Sequence, residues 1–98
     1  MSFIQIIECR TSKFDEINAL DEEWHKATEG QRTVRRSIVT RDRNDPDRHL
    51  ILVFFDDYES AMVNSALPAT GEFARKQMEL MDGPVTFSDL DVLVDQTE

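Results

Sequence analysis

The chain contains the uninterrupted apolar stretch Leu50-Ile51-Leu52-Val53-Phe54-Phe55, which ends at Asp56 and Asp57. A strand with one face in water alternates polar and apolar residues, whereas this stretch offers water neither face. We therefore predict that it forms the central strand of a sheet that is covered on both sides.

The first half of the chain predicts two further strands and one helix around this stretch. Residues 3–9 are rich in β-branched and aromatic side chains and predict a first strand, again apolar on both faces. Residues 33–41 alternate loosely, which favours a strand nearer the sheet edge, joined to the central strand by a turn at 44–47. Between strands one and two, apolar residues recur every three or four positions and predict a helix over 13–29: Phe14, Ile17, Leu20, Trp24 and Ala27.

The second half predicts a broken helix and a last strand. Asp56 is the expected start of the helix, and Pro68 should interrupt it, because proline has no N–H and clashes with the preceding turn. Thr70 is the expected cap of the renewed helix, in which Met78 should face inward. A final strand is predicted over 85–94.

The resulting order, β-α-β-β-α-β, is that of the split βαβ or ferredoxin-like motif. We therefore predict an α+β fold with a four-stranded antiparallel sheet in the order 4-1-3-2 and both helices on one face. The 98 residues should form a single domain, 1–98. The two most apolar strands, one and three, are then the central pair.

This fold leaves one apolar side of the sheet without helices. That side would expose either Leu50, Leu52 and Phe54 or the alternate set Ile51, Val53 and Phe55, at about 1.5–3 kcal/mol for each large side chain. A patch of this size is unusual on a soluble monomer. We predict a homodimer in which two copies pack through this sheet face about a two-fold axis.

Composition argues against several classes of partner. The formal net charge of −9 disfavours nucleic acid and anionic membrane surfaces, and no apolar run approaches the ~20 residues of a membrane span. The single cysteine, Cys9, permits no internal disulfide, and no leader with a basic region and an apolar core is recognised. The expected location is cytoplasmic.

Several residues from Val53 to Val92 resemble a known family, the dimeric α+β barrel proteins, and within it antibiotic-biosynthesis-monooxygenase-like (ABM-like) domains. They are similar to a subgroup of small actinobacterial proteins of this type. The run comprises Phe54-Phe55, Tyr58-Glu59, Ala61-Met62, Asn64-Ser65, Pro68, Thr70, Phe73-Ala74, Met78, Asp82-Gly83-Pro84, Phe87 and Leu90-Asp91-Val92.

The resemblance implies a homodimer with a pocket between sheet and helices in each subunit. Some members oxygenate aromatic polyketides without a metal or organic cofactor, and relatives degrade haem. The haem-degrading members use an Asn on the first strand with a Trp and a His in the second half. Here the first strand has Gln5, the only Trp is Trp24 and no His follows His49, so haem degradation is not carried over.

Trp24 and His25 are the first candidates for a pocket. Trp24 is a candidate binding residue, although packing beneath the sheet also explains its place on the apolar helix face. His25 lies ~100° further round the helix and could act as a general base, since its unperturbed pKa of ~6.5 suits that role. A solvated histidine at the helix edge is the alternative.

The remaining candidates are individually weaker. Arg36 shares parity with Val34 and Ile38 and could hold an anionic group, or it could form an interfacial ion pair. Asn64, with Ser65, precedes the Pro68 break and could cap that break or face a ligand. Tyr58 is a candidate binding residue that could equally be a core residue with a polar tip. His49 is a candidate binding residue that could equally be a hairpin residue with no partner.

We predict no metal site and no cofactor. Asp42, Asn44 and Asp47 superficially suggest a calcium loop, but the required glycine and the twelfth-position glutamate are missing. A purely structural interaction module is one open function, with the acidic surface keeping it soluble, and two others use a pocket. One is a cofactor-independent monooxygenase that acts on a small aromatic, polyketide-like molecule, and the other is a non-catalytic ligand-binding or stress-associated dimer.

Overall fold

The two most apolar stretches pair with each other at the centre of the sheet. β1 (Phe3–Arg10) runs antiparallel to β3 (Asp45–Phe55). β2 (Arg36–Asp42) flanks β3, and β4 (Thr86–Asp91) flanks β1, so the strand order is β2-β3-β1-β4. This is the predicted order counted from the other edge, and the ferredoxin-like α+β fold is confirmed. The computed structural model describes residues 2–98.

Three helices cover one side of the sheet, which we call the inner face. α1 (Phe14–Ala27) lies between β1 and β2 in the chain, and α2 (Tyr58–Ala66) and α3 (Pro68–Glu79) lie between β3 and β4. The small buried core joins β1 and β3 to α2 through Phe3, Phe55 and Ala61.

The other side of the sheet carries no helix, and we call it the open face. Ile51, Val53 and Phe55 of β3 point to the helices, so Leu50, Leu52 and Phe54 point the other way. The register places further apolar residues beside these three on the open face: Ile4, Ile6, Ile38 and Leu90. The sheet therefore has two apolar faces, of which the described chain covers one in part, since Val39 and Phe87 of the inner face stay about half exposed.

The break between α2 and α3 occurs at the predicted proline but is built differently from the prediction. Leu67 has extended backbone (ψ 132°) and precedes Pro68, which is the first residue of α3. Thr70 therefore does not cap the helix and is free for another contact. At the start of α2 the cap is Asp57, whose carboxylate accepts from the Ser60 N–H at 2.7 Å, whereas Asp56 binds Arg35.

Three predicted boundaries were too wide. α1 ends at Ala27, two residues early, because Thr28 turns the chain and bonds the Trp24 carbonyl. β2 begins at Arg36 rather than at residue 33, and β4 covers 86–91 rather than 85–94 because β1 offers no strand partner beyond Phe3. The hairpin turn lies at residues 43–44, and residues 45–47 already belong to β3.

Replacing the cap of α2, Asp57→Ala, should lower the Tm at pH 7 because the Ser60 N–H loses its acceptor. Hydrogen bonds from Ser60 hold the pKa of Asp57 below its usual value. The stabilisation is therefore present above the unfolded pKa of about 3.9 and is lost as the pH falls through the lower folded pKa. Thermal scans should show the difference in Tm narrowing as the buffer is acidified below that value.

Asp57→Asn is the matched control, since asparagine caps a helix as well as aspartate does but does not ionise. It should keep most of the Tm at pH 7. Equal Tm values for Asp57→Ala and wild type at pH 7 would show that this cap does not stabilise α2.

Candidate functional site

A cavity of about 350 Å³ lies between the inner face of the sheet and the three helices. Its volume falls at the small end of the roughly 300–1,000 Å³ usual for ligand pockets. Most of its wall is apolar, from Ile7, Ile51 and Val53 on the sheet and from Ile17 and Phe73 on the helices. A cavity of this size and lining suits a small, largely apolar molecule.

Trp24 lines this cavity and also packs against α3. Its indole Nε1–H donates to Thr70 Oγ1 at 2.9 Å, and its ring lies 6.1 Å from the ring of Phe73. The two interpretations offered by the sequence are therefore compatible. Thr70, which the sequence suggested as a helix cap, fixes the orientation of the indole instead.

His25 lines the cavity next to Asp21, one helical turn earlier. The imidazole Nδ1 lies 2.8 Å from the Asp21 carbonyl oxygen and 3.3 Å from Asp21 Oδ2. Since a carbonyl oxygen can only accept, this contact fits a hydrogen on Nδ1, and whenever the ring is neutral Nε2 then keeps the lone pair. Burial raises the pKa of Asp21, although His25 and Arg32 oppose the rise. His25 thus has the tautomer that a base acting through Nε2 requires.

Asn64 lines the cavity from α2, just before the helix break. Its side chain is buried, at 7% exposed, and Oδ1 has no hydrogen-bond partner within residues 2–98. Its backbone carbonyl accepts from the Leu67 N–H, so the side chain does not bridge the break. Buried polar atoms in folded proteins are nearly always paired. An unpaired amide oxygen in a cavity wall is therefore suited to a ligand that donates a hydrogen bond.

Several polar residues of the wall were not predicted as site residues from the sequence: Gln5, Asn18, Asp21, Ser37, Thr70 and Gln77. On α3 the sequence predicted that Met78 faces inward, but Met78 is 53% exposed. Its neighbour Gln77 lines the cavity instead and is only 9% exposed. Gln77 follows Phe73 by four positions, so the helical spacing indicated it, but a glutamine does not register as apolar. Asn18, one turn after Phe14, joins the wall for the same reason.

Arg36, Tyr58 and His49 do not line the cavity. Arg36 shares the face of Ile38 as predicted, but that is the open face, where its guanidinium lies 5.6 Å from the centre of the Phe54 ring. Tyr58 is 53% exposed at the edge of the core. Neither side chain reaches this cavity, so a binding role for Arg36 or Tyr58 stays a prediction.

His49 is a hairpin residue, since it is paired with Arg41 across β2 and β3, and it is not part of the cavity wall. It belongs to β3, is 2% exposed and stacks on Phe14 with 4.9 Å between the ring centres. Its Nδ1 lies 3.2 Å from the Thr40 carbonyl oxygen. Packing under α1 thus accounts for the position of the ring, while its Nε2 is buried with no hydrogen-bond partner within residues 2–98.

Residues 2–98 give little support for a metal site, a reactive thiol or a membrane-spanning helix. No group of three or more His, Cys, Asp or Glu side chains in this part of the chain is arranged to hold a metal ion. Burial, and secondarily Glu8, raises the pKa of the Cys9 thiol, which disfavours the reactive thiolate. None of the helices in this range is both long and apolar enough to cross a membrane.

Solved structures of similar shape are consistently proteins of one kind. A variant of SnoaB, a cofactor-independent oxygenase from Streptomyces nogalater, has a TM-score of 0.83 at 11% identity and covers 99% of this chain and 98% of its own. A provisionally assigned antibiotic biosynthesis monooxygenase from Caulobacter crescentus has a TM-score of 0.81 at 9% identity, over 95% and 91% of the two chains. One from Nitrosomonas europaea has a TM-score of 0.77 at 11% identity, over 94% and 90%.

No protein-family model and no curated protein sequence matches the chain. At identities this low, shape similarity establishes the fold and leaves the activity to be argued from the site. The chain has the fold of the antibiotic biosynthesis monooxygenases.

Proposed function

We propose that this chain is a homodimeric ABM-like protein that oxygenates a small aromatic, polyketide-like molecule without a cofactor. The observation that carries the proposal is the apolar cavity of about 350 Å³, in which His25 and the unpaired amide of Asn64 face the same space as Trp24. We further propose that residues 1–98 form a single domain and that the protein is cytoplasmic. It would belong to the actinobacterial subgroup that the residues from Val53 to Val92 resemble.

Such a reaction needs a substrate that supplies its own electrons. A carbonyl conjugated through the aromatic ring, as in an anthrone, acidifies the ring CH2 group, which loses a proton to His25 Nε2 to leave a carbanion delocalised as a phenolate. The carbanion passes an electron to O2, and the two radicals combine and take up a proton to form a hydroperoxide. Loss of water from the hydroperoxide gives the ketone. One oxygen atom enters the product and the other enters water, so no external reductant is required.

The cavity wall supplies what the first step needs. His25 accepts the proton, and the Asp21 carboxylate, 3.3 Å from Nδ1, stabilises the imidazolium that results. The Asn64 amide is placed to orient a hydroxyl group of the substrate. The apolar residues around it keep water from the carbanion. Asp21 and Asn64 act as positioning groups and His25 as the base.

The alternative function is a non-catalytic dimer that binds a small ligand or acts in a stress response. It is favoured by the contacts of Trp24 and His25, which already have partners in Thr70 and Asp21. Both functions use the same cavity, and they differ only in whether the bound molecule consumes oxygen.

The open face is the surface through which we propose that two copies of the chain associate. Its apolar centre is rimmed by charges at one end, where Arg48 binds Glu8 at 2.9 Å and Asp42 at 2.8 Å and Arg10 binds Asp45. An apolar centre with a charged rim is the usual anatomy of a protein interface. A second copy packed sheet against sheet would bury the apolar centre and leave the ion pairs at the edge.

Leu52→Glu should convert the dimer to a monomer, because it places a charge at the centre of the buried face. Light scattering at micromolar concentration should give the mass of two chains for wild type and of one chain for the variant. Val63→Glu is the control, because Val63 is 54% exposed on α2 and should leave the dimer intact. A wild-type protein that is monomeric at this concentration would contradict the proposed assembly.

His25→Ala should reduce kcat/KM for oxygen uptake with anthrone- or quinol-like substrates about 100-fold or more, as expected for the loss of a general base. Lys26→Ala, at the next and exposed position of α1, should have little effect. Tight binding of these substrates without oxygen uptake by the wild type would overturn the monooxygenase and support the ligand-binding alternative.

A further inference from the structure

The wall of the cavity has a marked charge asymmetry. Asp21 is the only Asp, Glu, Lys or Arg among the residues that line it in the described part of the chain. The other polar groups of the wall are amides, hydroxyls, the Trp24 indole and the imidazole of His25. An anionic ligand would therefore meet a carboxylate and no lysine or arginine.

The cation nearest to this part of the cavity is occupied elsewhere. Arg32 donates to the His25 carbonyl oxygen and to Thr28 Oγ1, and its guanidinium lies 5.7 Å from the centre of the Trp24 ring. It does not line the cavity. Direct contact with a ligand would break these interactions, although the charge of Arg32 acts on Asp21 and offsets part of its field.

The groups near Asp21 include hydrogen-bond acceptors as well as the amide of Asn18, one turn earlier on α1. The Asp21 carboxylate is an acceptor, and His25 Nδ1 donates to the Asp21 carbonyl oxygen, which leaves Nε2 with a lone pair. The Trp24 N–H, a donor, is already used by Thr70. A ligand that reaches this corner gains most by bringing a hydroxyl or amino hydrogen.

From this arrangement we propose that Asp21 is a specificity-determining residue that makes the cavity select uncharged, hydroxyl-bearing aromatic molecules and reject aromatic carboxylates. The inference rests on the proposed function only in taking the cavity to be the ligand site. Repulsion between two carboxylates at close range is stronger beside the low-dielectric wall of a protein than in bulk water. The net charge of −9 acts in the same direction at long range.

Because the Asp21 side chain is 42% exposed, solvent screens part of this repulsion. We therefore expect the Kd of an anionic aromatic ligand to be about tenfold higher than that of a neutral hydroxyl-bearing one, and we do not expect complete exclusion. This difference is large enough to measure by calorimetry.

The test compares three naphthalenes of matched shape by isothermal titration calorimetry on the full chain at pH 7.5. They are 2-naphthol, which is neutral and donates a hydrogen bond, 2-methoxynaphthalene, which is neutral and does not donate, and 2-naphthoate, which is an anion. We expect 2-naphthol to bind about tenfold more tightly than either of the others. Equal affinity for 2-naphthol and 2-naphthoate, or no binding of 2-naphthol, would overturn the inference.

Asp21→Asn isolates the charge from the shape of the site. It should tighten binding of 2-naphthoate about five- to tenfold and weaken that of 2-naphthol about two- to fivefold, because an amide oxygen is a weaker acceptor than a carboxylate. Asp15→Asn is the matched control, since Asp15 is an exposed residue of the same helix outside the cavity wall. If both variants tighten 2-naphthoate binding equally, net charge alone sets the preference and Asp21 is not the determinant.

These outcomes separate the inference from the proposed function. None of the three ligands needs to be oxidised, so the selectivity is tested even if no substrate consumes oxygen. Oxygen uptake combined with equal affinity for 2-naphthol and 2-naphthoate would overturn the role of Asp21 and leave the monooxygenase standing.

Discussion

Antiparallel pairing of β1 with β3 is the interaction on which the rest of the structure depends. Both strands are apolar on two faces, so their pairing creates a sheet that needs cover on both sides. The chain has helices for one side only, packed against Phe3 and Phe55 of the inner face. The same constraint therefore produces a pocket on one side and an unsatisfied apolar surface on the other.

The helices leave a cavity against the inner face, and the break between α2 and α3 accounts for part of its volume. Leu67 takes an extended conformation before Pro68, so the two helices change direction where one continuous helix would have passed over the sheet. Asn64 and Ser65, immediately before this break, face the cavity. An ordinary proline effect thus places a buried, unpaired amide opposite the α1 residues Trp24 and His25.

The sequence predicted the elements, their order and the central position of β1 and β3, because these depend on hydrophobic runs and on turn residues. It did not predict which face of the sheet carries the helices, since a strand that is apolar on both sides has no parity signal. The misplacement of Arg36 follows directly from this ambiguity. Gln77 was missed because a buried glutamine in a cavity wall resembles a surface residue in the sequence, whereas Trp24, His25 and Asn64 lay on recognisable features.

The claim that the two faces of the sheet have separate roles can be tested on the six isoleucines. Ile7, Ile17 and Ile51 line the cavity, and the other three lie on the open face: Ile4, Ile6 and Ile38. In a spectrum of labelled isoleucine methyl groups, an aromatic ligand should shift the first three signals, and dilution below the dimer dissociation constant should shift the second three. Ligand shifts spread over both sets, or shifts confined to the open face, would contradict the account.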